Sequence, residues 1–221
     1  GGLSIPFLQS FFPFSCESVI ERRVSQMEYQ FLGFSVEIPC QIGVMGLVMR
    51  DRFDYHVLSH CKAEVRDECT IENFTEENNH IQVTLDNGES CQGRYLVAAD
   101  GVNSKIARTL LAKAGKKRTF VPALEVEACP PAPVFESFTN GPRFTFEGPR
   151  FGYGWVFPKS DHLTIGVAAL KPKRGVLKRE LYRQMKACGI PSGNIQVHGH
   201  PIPLYNSGFT TLVLEIGRAH V

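Results

Sequence analysis

The stretch that decides the fold is residues 95–108, which read YLVAADGVNSKIAR. Residues 95–99 form a continuous apolar run, which is typical of a strand buried on both faces of a parallel sheet. Residues 104–114 then place apolar side chains on one side of a helix. This order puts Asp100 at the carboxyl end of a strand in an open α/β sheet, where such folds bind ligands. An Asp-Gly pair is also common in plain turns, so the motif needs support from elsewhere in the chain.

The residues before this stretch predict one helix and several strands. Residues 51–61 carry an apolar stripe at helical spacing, with Asp51 in the first turn. Residues 34–38 alternate polar and apolar side chains, which predicts a half-buried strand. A β-meander is predicted after the helix, with a turn at Asp86-Asn87-Gly88 and strands at 70–74, 80–85 and 90–93.

The residues after this stretch have a different composition. Residues 119–170 are rich in Phe, Pro and Gly and show no helical pattern, whereas 173–188 predict one helix. We therefore place a domain change near Gly115. The second region is expected to be an antiparallel sheet with one packed face and one face free to hold a ligand.

Composition excludes several classes of function. The 221 residues carry a net charge of +2, with 43% hydrophobic and 21% charged residues, as in an ordinary globular protein. Such a charge argues against nucleic acid as a partner. No apolar run reaches the roughly 20 residues that span a bilayer, and no basic signal start is present. We expect a cytoplasmic protein, at most peripheral to a membrane.

Cysteine and histidine spacing predicts no metal site. The seven cysteines lack a C-x-x-C pair and are interpreted as reduced thiols. His198 and His200 are interpreted as loop residues. The motifs of serine hydrolases, zinc proteases and P-loop proteins are all missing from the sequence.

A second motif lies at residues 151–158, which read FGYGWVFP. Tyr153, Trp155 and Phe157 alternate and therefore point to one face of a strand. Such a face suits a long apolar ligand, although three aromatic residues can also simply fill a core. Gly152 and Gly154 leave the other face bare, which suggests a close approach of backbone or cofactor.

Taken with residues 50–54 (RDRFD), these motifs resemble the geranylgeranyl reductase family of FAD-dependent oxidoreductases, within the p-hydroxybenzoate hydroxylase-like flavoproteins. The resemblance covers most of residues 1–214, and its most specific part is Ala99-Asp100-Gly101-x-x-Ser104-x-x-x-Arg108. It implies an α/β (α+β) fold, with an incomplete Rossmann-like FAD-binding domain, a β-meander and an antiparallel substrate-binding sheet.

The resemblance also implies site residues. The expected contacts to FAD are Arg50, Val65, Asp100, Gly101 and Ser104, with Arg52 a weaker match than Arg50. A short Asp-Gly turn and the following helix start suit a diphosphate, and an arginine balances its charge. Tyr153, Trp155 and Phe157 are expected to contact substrate. No catalytic residue is assigned.

The implied activity is the reduction of C=C bonds in a geranylgeranyl or other prenyl chain by hydride from reduced FAD. NAD(P)H or a ferredoxin-type reductant is the expected electron donor, and a prenyl lipid or prenyl diphosphate the expected partner, with peripheral membrane contact. Two alternatives stay open: an FAD-dependent aromatic monooxygenase, and a non-enzymatic lipid-binding module or inactive remnant.

The ends of the sequence suggest an internal fragment, because the family's G-x-G-x-x-G opening and its later Gly-Asp segment are both missing. We expect residues 1–115 to be a partial FAD-binding domain without its first βαβ unit and residues 116–206 to be the substrate sheet with one helix. Residues 207–214 are expected to form a return strand. Residues 215–221 (EIGRAHV) match the translation of a sequencing adapter and are expected to be a non-native tail.

Overall fold

The computed structural model of the chain describes residues 1–40, 43–77, 79–113, 119–191, 193 and 195–204. Two compact units are formed, which we describe separately. The first comprises Gly1–Cys61 and Phe120–Ile202, and the second comprises Lys62–Thr119 and Pro203–Val221. Residues 1–61 belong with residues 120–202 because β3 (Gln26–Phe31) pairs in parallel with β11 (Arg143–Thr145). The predicted functional domains, 1–115 and 116–206, stay a prediction.

The elements follow one another in this order. Up to the second unit they are β1 (Gly2–Ser4), α1 (Ile5–Phe11), a 3-10 turn (Glu17–Val19), β2 (Arg22–Arg23), β3, β4 (Phe34–Pro39), β5 (Met45–Leu47) and α2 (Arg50–Ser59). Next come β6 (Ile71–Glu77), β7 (His80–Leu85), β8 (Ser90–Gly93), α3 (Lys105–Lys113), β9 (Thr119–Val121), β10 (Ala123–Ala128), α4 (Ala132–Glu136) and β11. The remaining elements are β12 (Gly152–Pro158), β13 (Leu163–Ala169), α5 (Val176–Ala187), β14 (His198–Gly199) and β15 (Ile202–Leu204).

A seven-stranded sheet organises the first unit. Its strand order is β14-β10-β13-β12-β11-β3-β4, with β4 at one edge. All neighbours pair antiparallel except β3 and β11. The unit also contains a small sheet of order β1-β5-β2. The second unit holds the predicted β-meander, β6-β7-β8, and the helix α3.

One face of the large sheet packs against α5. Leu181 and Met185 of the helix are fully buried against Val126, Val156 and Ile165 of three neighbouring strands. Burying aliphatic side chains of this size contributes roughly 1.5–3 kcal/mol each. This layer is the main hydrophobic core of the first unit.

The side of β12 on which Gly154 carries no side chain packs against α5. A Cβ atom on Gly154 would lie 1.7 Å from the Gln184 amide nitrogen of α5. The close approach expected there is therefore made by a packed helix, and the suggestion of a cofactor on that face is wrong.

Three local expectations are corrected by the structure. Residues 95–99 form no strand, and Tyr95 and Val97 are each 83% exposed, because no strand pairs with them in the described part of the chain. β4 is exposed along its whole length rather than half-buried, since it is an edge strand with nothing described packed on its apolar side. The short helix α4 stands in a region where no helix was expected.

Other expectations are confirmed. The helices predicted near residues 51–61, 104–114 and 173–188 are present as α2, α3 and α5. All seven cysteines are free thiols. The absence of a metal site stays a prediction; among the described residues, no group of three His, Cys, Asp or Glu side chains is placed to hold a metal ion. The boundary near Gly115, the return strand at 207–214 and the tail at 215–221 lie outside the described residues.

Among the described residues, none of the helices is both long enough and apolar enough to cross a bilayer.

Candidate functional site

The face of the large sheet opposite α5, called here the open face, carries the predicted aromatic residues. Tyr153 and Trp155 have ring centroids 5.6 Å apart, and Trp155 and Phe157 have centroids 6.4 Å apart. All three lie on the same side of β12, as the alternation predicted. The structure therefore brings the three expected substrate residues together.

Neighbouring strands extend this surface. Phe144 is the cross-strand neighbour of Trp155, and Tyr29 is the neighbour of Phe144 on the other side. The Tyr29 and Phe144 rings stack at 5.5 Å, and the Phe146 and Tyr153 rings lie 6.1 Å apart. We call the surface the aromatic strip; it consists of Tyr29, Phe144, Phe146, Tyr153, Trp155 and Phe157.

Tyr29, Phe144 and Phe146 were missed at the level of sequence. Phe144 and Phe146 alternate as the motif aromatics do, and this signal was available. The place of Tyr29 depends on the pairing of β3 with β11, which joins residues 115 positions apart.

The strip continues onto the hairpin of β3 and β4. Phe31 and Phe34 are cross-strand neighbours near the tip, 57% and 75% exposed. Val36 and Ile38 follow on the same side of β4 and are also exposed. The open face thus presents a broad apolar surface.

Polar groups lie at the opposite end of the open face, on β10 and β13. Thr164 is the cross-strand neighbour of both Phe157 and Glu127. The Thr164 hydroxyl donates to Glu127 Oε2 at 2.7 Å, and His162 Nε2 lies 3.1 Å from the same oxygen. The other ring nitrogen, Nδ1, lies 2.6 Å from Asp161 Oδ1. Apolar and ionisable side chains therefore share one surface.

A buried lysine lies next to this polar end. Lys159 has no exposed surface, and its ammonium donates to the Val48 carbonyl at 2.7 Å. Val48 stands two residues before Arg50, the expected partner of the cofactor. This bond ties the end of β12 to the segment that leads into α2.

Glu21 stabilises the turn after β12. Its carboxylate, whose side chain is only 6% exposed, accepts from the Ser160 backbone N–H at 3.2 Å and pairs with Arg52 at 2.6 Å. Hydrogen bonds from Ser160 hold the pKa of Glu21 below its usual range, and the charges of Arg52 and Lys159 add to the effect. Arg52 therefore takes part in holding this turn through its pair with Glu21.

Arg50 lies in the first turn of α2. Its guanidinium is 67% exposed and forms a two-point pair with Asp54, at 3.0 and 3.1 Å. An exposed guanidinium held by one carboxylate can still turn a positive charge toward an anion. A contact between Arg50 and the cofactor stays a prediction.

The other expected cofactor residues belong to the second unit. Asp100, Gly101 and Ser104 lie together in the turn before α3, where Ser104 is buried and accepts from the Ala107 N–H at 2.8 Å. Gly101 has a φ of +80°, and apart from its chain neighbours no heavy atom of the described residues lies within 4 Å of where its Cβ would be.

These features fit a diphosphate group. The open side of the Gly101 turn permits close approach, and the first N–H groups of a helix lack intrahelical partners. Which atoms Asp100 and Ser104 would contact stays a prediction.

Val65 does not start a strand. Residues 62–69 contain no regular element, and Val65 is 49% exposed. Its neighbour Glu64 pairs instead with Arg66 at 2.8 Å. The family resemblance implies that a strand beside the adenine of FAD begins at Glu64-Val65. No strand begins there, and a contact from Val65 stays a prediction.

Sequence comparison finds relatives of two kinds, and no family model matches the chain. An uncharacterized protein of Methanosarcina barkeri is 24% identical over 95% of this chain and 54% of its own length. The chloroplastic geranylgeranyl diphosphate reductase of Nicotiana tabacum is 40% identical over 23% of this chain and 11% of its own length. The corresponding reductase of Oryza sativa is 29% identical over 49% of this chain and 24% of its own length.

Comparison with solved structures also finds a reductase-like protein. A geranylgeranyl bacteriochlorophyll reductase-like protein from Thermoplasma acidophilum matches with a TM-score of 0.68 at 20% identity, over 91% of this chain and 54% of that one. Halogenase PltM, solved with phloroglucinol and FAD, matches with a TM-score of 0.59 at 15% identity, over 84% and 44%. A salicylate hydroxylase matches with a TM-score of 0.54 at 18% identity, over 79% and 48%.

The chain spans about half the length of the proteins that it matches along most of its own sequence. Its motifs, its relatives and its fold agree with one another. The predicted resemblance is confirmed: parts of the chain are similar in sequence to geranylgeranyl diphosphate reductases, and its fold is similar to that of a geranylgeranyl bacteriochlorophyll reductase-like protein and of a halogenase solved with FAD.

Proposed function

We propose that the protein is an FAD-dependent oxidoreductase that reduces C=C bonds of a geranylgeranyl or other prenyl chain. The observation that carries the proposal is the aromatic strip, a partly exposed apolar surface on the sheet face opposite α5. A long unsaturated chain has no polar groups to recognise, so apolar contact area is the main way to bind it. The sequence similarity to geranylgeranyl diphosphate reductases supports the same substrate class.

The cofactor in this proposal is FAD, which supplies hydride when bound and reduced. Arg50, Val65, Asp100, Gly101 and Ser104 are the proposed contacts. NAD(P)H or a ferredoxin-type reductant is the proposed electron donor. The chain's own contribution is to bind the alkene along the aromatic strip and to exclude water from it.

The test uses the complete protein reduced under anaerobic conditions. Addition of geranylgeranyl diphosphate should restore the oxidised flavin spectrum, and mass spectrometry should find a product heavier by two hydrogens for each bond reduced. An unchanged flavin spectrum with every prenyl substrate tried would overturn the proposal.

An aromatic monooxygenase is the second candidate, favoured by the fold shared with salicylate hydroxylase. It predicts oxygen consumption with hydroxylation of an aromatic substrate, and no alkene reduction without oxygen. The third candidate, a lipid-binding module or inactive remnant, predicts a colourless complete protein that still binds prenyl lipids.

A further inference from the structure

We propose that Asp161, His162 and Glu127 form a proton path from solvent to the open face, and that Glu127 delivers the proton that the reduction of a double bond consumes. The inference rests on the proposed function and supplies the catalytic residue that the sequence did not reveal.

The path begins in solvent and passes through an imidazole. The Asp161 side chain is 82% exposed and its Oδ1 lies 2.6 Å from His162 Nδ1, whereas the His162 side chain is only 17% exposed. The hydrogen bond from His162 holds the pKa of Asp161 below its usual range. A carboxylate at this position connects bulk water to one ring nitrogen.

The second ring nitrogen of His162, Nε2, faces Glu127. His162 Nε2 lies 3.1 Å from Glu127 Oε2 and is buried, with no aligned hydrogen-bond partner in the described residues. Imidazole can accept a proton at one nitrogen and release the other proton from the second. An imidazole with a carboxylate near each nitrogen is therefore suited to pass protons between the two carboxylates.

The end of the path lies on the open face. Glu127 is in register with Thr164, and Thr164 with Phe157, so all three share the side of the sheet that carries the aromatic strip. The Thr164 hydroxyl orients the Glu127 carboxyl through its 2.7 Å bond. Adjacent strands lie about 4.8 Å apart, which places the carboxyl two strand spacings from Phe157.

Among the described residues, the Lys159 and Glu125 side chains also face this end of the sheet. Lys159 is paired with His162 across the turn and directs its ammonium to Val48. Glu125 lies on the same side of β10 as Glu127 and pairs with His200 at 2.8 Å. Both are engaged elsewhere, so Asp161 and Glu127 are the direct partners of the His162 ring.

The reaction balances with these groups. FAD, when bound and reduced, would supply the hydride for one new C–H bond, and the π-electron pair of the alkene would take a proton from the Glu127 carboxyl to form the second. The resulting carboxylate takes a proton from His162 Nε2. Water then restores the imidazole through Nδ1 and Asp161.

The experiment compares Glu127→Gln and His162→Gln with the unaltered complete protein. The rate at which a prenyl substrate oxidises the reduced flavin should fall by about 100-fold or more in Glu127→Gln, the range typical of lost general acid catalysis. His162→Gln should slow the same step and flatten its pH profile. Flavin content, and flavin reduction by dithionite, should stay unchanged in both.

A second pair on the same sheet gives the control. His200→Gln alters another histidine that contacts a glutamate, and its side chain is 58% exposed; its rate should stay within twofold of the unaltered protein. If His162→Gln does not fold, Asp161→Asn tests the entry point, because its side chain is exposed. The expected result there is a slower step with a larger solvent isotope effect, because proton delivery then limits the rate.

The outcomes separate the two proposals. Alkene reduction by the unaltered protein, with equal rates and pH profiles in all variants, would overturn the proton path alone. Loss of rate in His200→Gln equal to that in His162→Gln would also overturn it. No reaction of the unaltered protein with prenyl substrates would overturn the proposed function, and the path with it.

Discussion

At the scale of single residues, one glycine determines how the aromatic strip lies on the sheet. A Cβ atom on Gly166 would lie 2.0 Å from Cζ2 of the Trp155 ring, so the ring rests directly on the backbone of β13. Any side chain at this position would push the ring away from the sheet. The flat seat of Trp155 therefore depends on a residue outside the aromatic motif.

Replacing Gly166 with Ala should displace the Trp155 ring and destabilise the fold by about 1–3 kcal/mol, as overpacking does. Trp155 is the chain's one tryptophan and is 8% exposed, so its fluorescence should shift to longer wavelength. Gly193→Ala is the matched control, because an added Cβ there meets no atom of the described residues within 4 Å apart from its chain neighbours. Unchanged emission in Gly166→Ala would contradict this geometry.

Glu21 should make stability depend on acidity. Because its pKa is lowered in the folded state, its contribution is complete above the usual glutamate range and is lost as the pH falls through the folded value. Glu21→Gln should be less stable at pH 7, and the difference from the original protein should shrink below about pH 4. Urea unfolding at both pH values measures this, and a difference that grows on acidification would rule it out.

At the scale of elements, the hairpin of β3 and β4 is unusual for its exposed apolar side. Phe31, Leu32 and Phe34 at the tip are 57%, 70% and 75% exposed. Exposed apolar clusters commonly mark membrane or protein contacts. We propose that this tip makes the expected peripheral contact with a membrane that holds the prenyl substrate.

Changing both Phe31 and Phe34 to Ser should weaken binding to phosphatidylcholine vesicles by about tenfold or more, since each buried phenylalanine contributes roughly 1.5–3 kcal/mol. Co-sedimentation measures the bound fraction. Glu37→Gln, on the opposite side of β4, should bind as the unaltered protein does. Equal binding by all three proteins would remove the tip from the membrane contact.

Local sequence patterns were sufficient to predict some of the helices and strands. The meander and the three longer helices were predictable because alternation, helical spacing and an Asn-Gly turn act over a few residues. Residues 95–99 were not, because an apolar run becomes a strand only when other strands pair with it. The exposure of β4 was also hidden, since alternation does not tell whether a second layer covers the apolar side.

At the scale of the whole molecule, the seven cysteines are free thiols. The rate at which each thiol reacts should therefore report how deeply the fold buries it. Cys16 and Cys188 are buried, and burial raises the pKa of both thiols, which lowers their reactivity. Native protein should react slowly with iodoacetamide at these two positions and faster at Cys61, Cys69 and Cys129, which are exposed. Mass spectrometry of labelled peptides measures each rate, and fast labelling of Cys188 in native protein would contradict the packing of α5.

The sequence by itself determined the helices, the meander, the shared face of Tyr153, Trp155 and Phe157, and the likeness to geranylgeranyl reductases, because short-range periodicity and motif spacing are properties of the chain alone. The tertiary structure decided which residues join that face. Tyr29 meets Phe144 through a parallel pairing, and Thr164 meets Glu127 from 37 residues away. Such contacts depend on strand order and register. The alternation of side chains along one strand does not specify either of them, because both are set only when the strands pair in the sheet.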